Sequence, residues 1–548
     1  MKTCLLFLFY FPLISIIYAE TQKDRPVVTT PLGKIRGYHK KSAKRNLFAA
    51  FEGIPYAKPP VESRRFEPPE PIEPWKGTWD AISVTECPQT ALIQMTSVQG
   101  EEDCLYVNVY VPREYPNPEE RLNVIVHIHG GMFMYGSGHS YSHPEYFMDE
   151  EVIFVNFNYR LGIFGFLSTG DSVVSGNNGL KDQVMVLKWV QENIGSFGGN
   201  PESVTLTGLS AGASSVHFHY ISDMSVGLFQ KGFSQSGVAL NSYALQEEPL
   251  KKAKTLAEAV GCPTASTSVL VDCLKQRPFK HLLTKMPLFF GHHFLPATPF
   301  GPVLEKGSQP FLNKNPYYLL LKGKVQDLPW LTSTVSHEGL FPGVFFIKEL
   351  DQLSKNWTQV APFLLDYRDS LAETLWVSTA EKIREYYLEG NQEITMETFP
   401  KLVQMLSDRF LVDVEAAIKL QSKVNKSPVY YYQFGYPGDS NSDKTVAHGA
   451  DAQYFFFSMY NRPPSPDELK MKDILMDMLL TFVKTGKPRI ADRKWEPVEF
   501  PDVRFMDVPT FELDQVKMVT VKELAPREFW KSLGFLENQN LLLMKDEL

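Results

Sequence analysis

Cysteine is scarce in this chain, five residues in 548, and no two of them are spaced as CxxC. That argues against a cysteine-based zinc site. Positive charge is in no excess: 55 Lys and Arg stand against 63 Asp and Glu, a net of −8, with no basic cluster. Nucleic acid is thereby excluded as the main partner. Beyond Tyr18 no apolar run approaches the length of a membrane span, so no integral span is expected. Internal repeats and Ser/Gly-rich linkers are also missing. What is abundant is apolar. With 43% hydrophobic and 13% aromatic residues, the chain can bury a large core, which excludes disorder.

The two ends read as addresses. Lys2 followed by the apolar run Leu5–Tyr18 and a small residue, Ala19, predicts a secretory signal peptide over residues 1–19, although Ile17 is not small. The chain ends in Lys545-Asp546-Glu547-Leu548, the signal read by the retention receptor of the endoplasmic reticulum. That receptor acts only on lumenal proteins, so each end supports the other and the lumen of that compartment is the expected location. Cys4 falls in the signal, leaving Cys87, Cys104, Cys262 and Cys273. In an oxidising lumen an even count predicts two disulfides. Of three possible pairings, Cys87 with Cys104 and Cys262 with Cys273 closes two short loops and is the one expected. Asn356-Trp357-Thr358 and Asn425-Lys426-Ser427 are glycosylation acceptors in that compartment.

Along the chain, Val27–Tyr38 reads as a hairpin around Pro31-Leu32-Gly33. Leu122–Ile128, Val152–Asn156, Ser203–Thr207, Trp330–Val335 and Val429–Phe434 read as strands rich in β-branched or aromatic residues. Leu180, Val184, Leu187, Val190 and Ile194 recur at helical spacing between Asn178 and Ile194. Strands alternating with helices predict an α/β fold, a large mostly parallel sheet with helices on both faces.

Gly208-Leu209-Ser210-Ala211-Gly212 is a G-x-S-x-G sequence, weak as a pattern alone. Its context raises it: a β-branched strand ends just before it and a helical pattern starts just after. That is the sequence of a nucleophile elbow, a sharp turn that lifts a serine above the sheet. A serine needs a base and an orienting acid, expected here in the order Ser, Asp or Glu, His. Seven histidines follow Ser210. His217 and His219 lie on the helix leaving the elbow and are expected to pack or face solvent. His281, His292 and His293 occupy an irregular Pro/Phe-rich region, and His337 cannot be the base if its neighbour Glu338 is the acid. His448, beside Gly449 in a loop after a strand, sits where this architecture places catalytic groups. Glu338 follows a strand and precedes Gly339. Its alternatives, Asp443 and Asp451, are too near His448 to fit the expected order, and position alone does not decide among the acids.

The chain resembles the type-B carboxylesterases, the cholinesterase-like branch of the α/β-hydrolases. The resemblance runs through FEGIPYAKPP (Phe51–Pro60), RFEPP (Arg65–Pro69), PWKGTWDA (Pro74–Ala81), EEDCLYVNVYVP (Glu101–Pro112), NYRLGIFGFLS (Asn158–Ser168), NNGLKDQ (Asn177–Gln183), FGGNPESVTLTGLSAGA (Phe197–Ala213) and FSQSG (Phe233–Gly237). It covers nearly the whole mature chain, so residues 20–544 are expected to form one α/β-hydrolase domain. It implies a triad of Ser210, Glu338 and His448, supports the neighbour-paired disulfides, and adds an ion pair between Arg65 and Glu102. In VIVHIHGGMFMYGSG (Val124–Gly138) the family commonly has HGGGF or HGGAF. The resemblance implies that the oxyanion hole takes the backbone N–H groups of Gly131, Met132 and Ala211. Met132 is the departure, and its side chain is expected either to narrow the site or to fold away from it. A phosphate-cradling loop at Gly130-Gly131 is discounted because no Lys-Ser/Thr follows.

The implied chemistry is ester hydrolysis through an acyl-enzyme, which requires no cofactor or metal. Cholinesterases carry a choline-binding tryptophan in the first disulfide loop. Here Pro88–Asp103 holds no aromatic residue, so a cation–π seat is missing and acetylcholine is rejected. Juvenile hormone esterases usually read GQSAG at the elbow; Leu209 disfavours that substrate without excluding it. PLFFGHHFLPATPF (Pro287–Phe300) and GLFPGVFF (Gly339–Phe346) could line an apolar pocket or belong to the core. Uncharged, fairly hydrophobic esters fit best; the retention signal resembles that of microsomal carboxylesterases, which process xenobiotics and lipid esters, so a lipid-ester hydrolase is an alternative beside the juvenile-hormone type. The retained triad positions disfavour a non-catalytic adhesion protein.

Overall fold

A computed structural model describes residues 25–535, apart from 92–96, 141, 390–391, 440–444 and 458–461. The expected signal peptide, the Lys545–Leu548 signal and Asp443 lie outside the described residues.

Eleven strands form one sheet: β1 (Tyr38–Lys41), β2 (Leu47–Pro55), β3 (Tyr106–Val111), β4 (Leu122–Ile128), β5 (Val152–Phe157), β6 (Gly199–Leu209), β7 (Lys231–Gln235), β8 (Trp330–Val335), β9 (Val429–Phe434), β10 (Val503–Val508) and β11 (Lys517–Val521). Their order across the sheet is β11-β10-β9-β8-β7-β6-β4-β5-β3-β2-β1. The run from β10 to β5 is parallel throughout, and the strands at the two edges are antiparallel. β5 and β8 are buried at every position. Continuous apolar or small residues, without polar alternation, are what a parallel strand covered on both faces requires.

The cover is visible in the side chains of β4. Val124, Val126 and Ile128 point into one core with Val184, Leu187 and Val190 of the helix Asn178–Asn193. Ile125 points into the other with Leu475, Met478 and Phe482 of the helix Pro466–Thr485. The latter helix has a sharp start. Ser465 Oγ accepts from the Glu468 N–H at 3.1 Å, and the Glu468 carboxylate accepts from the Ser465 N–H at 2.7 Å, with Pro466 following. Such a reciprocal cap satisfies two N–H groups that the helix itself leaves unpaired. A third cluster, including Phe294, Phe346, Trp357 and Leu402, is built by the helical segments after β7 and β8.

The strands expected at 122–128, 330–335 and 429–434 stand at those residues, and the expected helix at Asn178 ends at Asn193. Ser203–Thr207 is the centre of the longer β6, and Val152–Asn156 gains Phe157. The hairpin is shorter than expected. Val27–Thr30 pairs with Gly33–Arg36, but Tyr38 begins β1 of the main sheet. Gly37 allows the switch, because a Cβ there would meet the Ala50 carbonyl at 2.3 Å. Both neighbour-paired disulfides, Cys87–Cys104 and Cys262–Cys273, are present. Arg65 joins their two loops: its guanidinium donates two bonds of 2.6 Å to Glu102 and one of 3.2 Å to the Leu274 carbonyl. Among the described residues no helix is long and apolar enough to cross a membrane, and no group of His, Cys, Asp and Glu is placed to hold a metal.

Candidate active site

The sheet order reverses direction between β4 and β6. The chain leaves β4 toward β5 on one side and leaves β6 toward β7 on the other. Such a switch point opens a crevice at the carboxyl ends of the strands. The HGGM loop leaves β4 and the GLSAG turn leaves β6, so both sequences reach the same crevice.

Ser210 links β6 directly to the helix Ala211–Ile221, with φ +58° and ψ −120°. That conformation is strained for a residue with a side chain, typically by about 1–3 kcal/mol. The flanking glycines make it possible. A Cβ on Gly208 would lie 2.3 Å from the Gly212 carbonyl, and one on Gly212 would lie 2.1 Å from the Ile128 carbonyl. The Ser210 N–H donates to the Gln235 carbonyl of β7 at 2.8 Å, which fixes the turn against the next strand.

The HGGM loop is packed onto this turn. A Cβ on Gly130 would lie 2.7 Å from the Leu209 carbonyl and 3.2 Å from Ser210 Cβ. Gly131, Met132 and Phe133 then follow with φ of +108°, +56° and +59°. The Gly131 carbonyl is occupied by the N–H groups of Met134 (2.8 Å) and Tyr135 (3.0 Å), which curls the loop. His129 anchors it from below, bonding the Gly130 carbonyl through Nδ1 at 2.8 Å and stacking on Tyr159 at 4.4 Å. Burial pushes the His129 imidazole down to about 4, so it stays neutral in this role.

Glu338 and His448 come together through the backbone. His337 and Ala447 form an isolated β-bridge beyond the ends of β8 and β9, and the next residue of each chain is then a neighbour of the other. His448 Nδ1 lies 2.6 Å from Glu338 Oε2. The other carboxylate oxygen accepts from Ser236 Oγ at 2.7 Å and from the Val335 N–H at 2.9 Å. Glu338 is 3% exposed. Ser210, Glu338, His448 and Met132 all line one cavity of about 130 Å3. Its walls are largely apolar, with four phenylalanines among them: Phe294, Phe341, Phe363 and Phe410. The rings of Phe341 and Phe410 each lie 5.8 Å from that of His448.

The remaining histidines separate cleanly. His217 and His219 are buried, not solvent-facing. His217 stacks on Trp330 and meets Gln421 at 3.0 Å; His219 is held between Gln183 and Ser225. His293 pairs with Glu349 and His292 packs edge-on to Phe363. His281 lies on a short helix, Phe279–Leu283. Asp451 is fully buried and bonds Tyr432, Gln235 and Ser333. No bond joins it to His448. The two aromatic segments divide: Phe294, Leu295 and Phe341 face the cavity, whereas Phe289 and Phe300 belong to the core. Met132 is 8% exposed, packs with the Phe294 cluster and still forms part of the cavity wall.

Sequence reasoning missed Tyr243, Phe363, Phe410 and the role of Ser236. Tyr243 lines the cavity with its hydroxyl 2.8 Å from Ser214 Oγ, one helical turn beyond Ser210. Nothing local marks these residues, since each reaches the site from a separate element. Ser236 lies within FSQSG, and its backbone φ of +51° shows how sharply the chain turns there.

A serine on a strained strand-to-helix turn, above a mostly parallel sheet and beside a paired glutamate and histidine, defines the α/β-hydrolase class of ester-cleaving enzymes. The chain belongs to the carboxylesterase family, whose model matches residues 24–523. It is 41% identical to a carboxylic ester hydrolase of Bombus ignitus over 95% of this chain and 96% of that one. Venom carboxylesterase-6 of Apis mellifera is 40% identical over 95% and 97%. Among solved structures, juvenile hormone esterase from Manduca sexta, with OTFP covalently attached, superposes with a TM-score of 0.81 at 28% identity. The match covers 93% of this chain and 99% of that one.

Proposed function

We propose that Ser210, His448 and Glu338 carry out ester hydrolysis through an acyl-enzyme. The observation that carries the reading is the 2.6 Å pairing of His448 with a buried, doubly anchored Glu338, opening on the same cavity as Ser210. His448 Nε2 takes the proton of Ser210 as its oxygen attacks the ester carbonyl. Glu338 holds the Nδ1–H tautomer and stabilises the imidazolium. The N–H groups of Gly131, Met132 and Ala211 receive the oxyanion, where the loss of one donor typically costs about 3 kcal/mol of transition-state stabilisation. The imidazolium then protonates the leaving alcohol. Neutral again, it activates a water that releases the acid and regenerates Ser210.

The apolar walls and the absence of an aromatic residue in Pro88–Asp103 support uncharged, fairly hydrophobic esters. A slender ester of the juvenile-hormone type is a second reading, favoured by the narrow cavity and the likeness to the Manduca sexta enzyme. The apolar run Leu5–Tyr18 and the Lys545–Leu548 terminus support residence in the endoplasmic reticulum lumen through the retention receptor. Glycosylation there fits Asn356, which is exposed. At Asn425 a glycan would displace the bond from Nδ2 to the Gln326 carbonyl.

Hydrolysis of 4-nitrophenyl acetate and covalent labelling by a fluorophosphonate should both vanish in Ser210→Ala. Retained turnover overturns the assignment. A panel of ester lengths separates the two substrate readings. Deletion of Lys545–Leu548 should move the protein into the medium of expressing cells; continued retention overturns the location.

A further inference from the structure

Two side-chain amides fasten the far end of the HGGM loop to the first disulfide. Both backbone groups of Gly136 are taken by Gln89: the N–H donates to Oε1 at 2.7 Å, and the carbonyl accepts from Nε2 at 3.0 Å. Gln89 Nε2 also donates to the Cys87 carbonyl at 3.0 Å. Two residues further on, the Gly138 N–H donates to Asn158 Oδ1 at 3.0 Å, and Asn158 Nδ2 donates to the Cys104 carbonyl at 3.2 Å. Each half-cystine of the Cys87–Cys104 bridge thus holds one amide, and each amide holds one glycine of the loop. Both amides are buried. A primary amide has two protons to give, and Gln89 gives both to carbonyls.

The grip on Gly136 reaches the start of the loop through one peptide unit. The Gly136 N–H and the Tyr135 carbonyl belong to the same plane, and that plane is rigid. Gln89 holds its N–H end. The carbonyl end stands against Gly131, where a Cβ would lie 1.9 Å from it. Gly136 itself closes on the residues just before: a Cβ on it would lie 2.7 Å from His129 Nδ1 and 2.9 Å from the Gly130 carbonyl. Any tilt of this plane therefore pushes on Gly130 and Gly131. Gln89 stands outside the cavity that holds Ser210, so its influence passes through the loop.

We propose that Gln89 is a positioning residue for the oxyanion donors. It sets the Tyr135–Gly136 peptide plane, the plane sets the backbone of Gly131 and Met132, and the disulfide is the fixed post behind it. The inference rests on the reading above that the Gly131 and Met132 N–H groups receive the oxyanion.

The test uses the full-length enzyme and two probes with the same apolar chain. Hexyl trifluoromethyl ketone accepts Ser210 Oγ at its carbonyl carbon; the carbonyl π pair becomes an oxyanion and the serine proton passes to His448. The alcohol obtained by reducing that ketone forms no oxyanion. In Gln89→Glu the side chain keeps its length but meets the Cys87 and Gly136 carbonyls with lone pairs in place of protons. The Ki of the ketone should rise at least about tenfold, and kcat for 4-nitrophenyl acetate should fall by a similar factor, because misplaced donors lose most of their effect. The Ki of the alcohol should change by less than about twofold, since it draws only on ground-state binding. Gln89→Met, unbranched and apolar, is read in the same way and decides the matter if the glutamate variant does not fold. A folded variant with an unchanged ketone Ki overturns the proposal. Equal weakening of ketone and alcohol also overturns it, since that is the mark of general damage to the cavity. Wild-type enzyme that binds the ketone no more tightly than the alcohol fails the oxyanion reading instead.

Discussion

Ser236 holds Glu338 in place: its Oγ donates to Oε1 at 2.7 Å, leaving Oε2 to meet His448 at 2.6 Å. The serine is fully buried, so water cannot substitute for it. Hydrogen bonds to charged groups are typically worth about 1.5–3 kcal/mol. Ser236→Ala is therefore expected to lower kcat about ten- to a hundredfold on 4-nitrophenyl acetate, with KM little altered, because the imidazolium it helps to support exists only after proton transfer. A kcat equal to that of the wild-type enzyme would contradict this role.

The loop proposed to hold the oxyanion is equally exposed to a single methyl group. Gly131 has φ of +108°, and a Cβ there would lie 1.9 Å from the Tyr135 carbonyl. The backbone has no room to absorb that contact, so in Gly131→Ala the loop must shift and its donors move with it. Losing one oxyanion donor costs about a hundred- to a thousandfold in rate. We expect kcat for acetate to fall by that factor while the nucleophile turn, held by Gly208 and Gly212, remains in place. Steady-state kinetics set beside circular dichroism of the folded variant decide it; full activity would mean that the loop accommodates the methyl.

Local patterns were what the sequence made legible. Ser210 is announced by a glycine on each side and by the elements before and after it, and β8 and β9 declare themselves through buried β-branched and aromatic runs. His448 and Glu338 needed the resemblance as well, because they lie 110 residues apart and are united by the bridge between His337 and Ala447. The disulfides followed from cysteine scarcity, which leaves few pairings. What stayed hidden depends on distant packing. Phe363, Phe410 and Tyr243 come from three separate segments, and the cavity they line beside Ser210 is a property of how those segments meet. The edge strand β1 was absorbed into an expected hairpin, since Gly37 gives no sign in the sequence that the chain crosses to another sheet there.

Four buried histidines make stability depend on pH. Burial pushes His127, His217 and His219 down to about 3 and His129 to about 4, against about 6.5 in an unfolded chain. Below pH 6.5 the unfolded state takes up protons that the native state refuses. The contribution is therefore fully present above pH 6.5 and is lost as pH falls through 4 toward 3. Each such group removes at most about 1.4 kcal/mol per pH unit. Four together exhaust a stability of about 5–15 kcal/mol within a few units. Asp408, raised to about 6 by burial, works in the opposite direction, as do Glu145, Glu150, Asp451 and Asp507, also raised by burial; His139, His143, His292 and His337, lowered by burial, add to the four. The urea midpoint is expected to fall steeply between pH 7 and pH 5; a level midpoint would mean that these imidazoles protonate without unfolding the protein.

Met132 does two jobs with one residue. Its N–H is one of the donors proposed for the oxyanion, while its side chain lines both the cavity and a small void that also touches Ala91, Met134 and Phe290. An unbranched thioether fills such an irregular gap well. Its φ of +56° favours glycine over any side chain, so the methionine is held there by its packing against the Phe294 cluster. Met132→Gly should relax the backbone yet lower thermal stability, since removing a buried Met typically costs about 2–5 kcal/mol. It should also join the void to the cavity. The kcat/KM ratio of 4-nitrophenyl pivalate to acetate should then rise about tenfold, with Ser210 still labelled by a fluorophosphonate because the donor at position 132 survives. An unchanged ratio would mean that Phe294 and its neighbours, and not the methionine, set the width of the site.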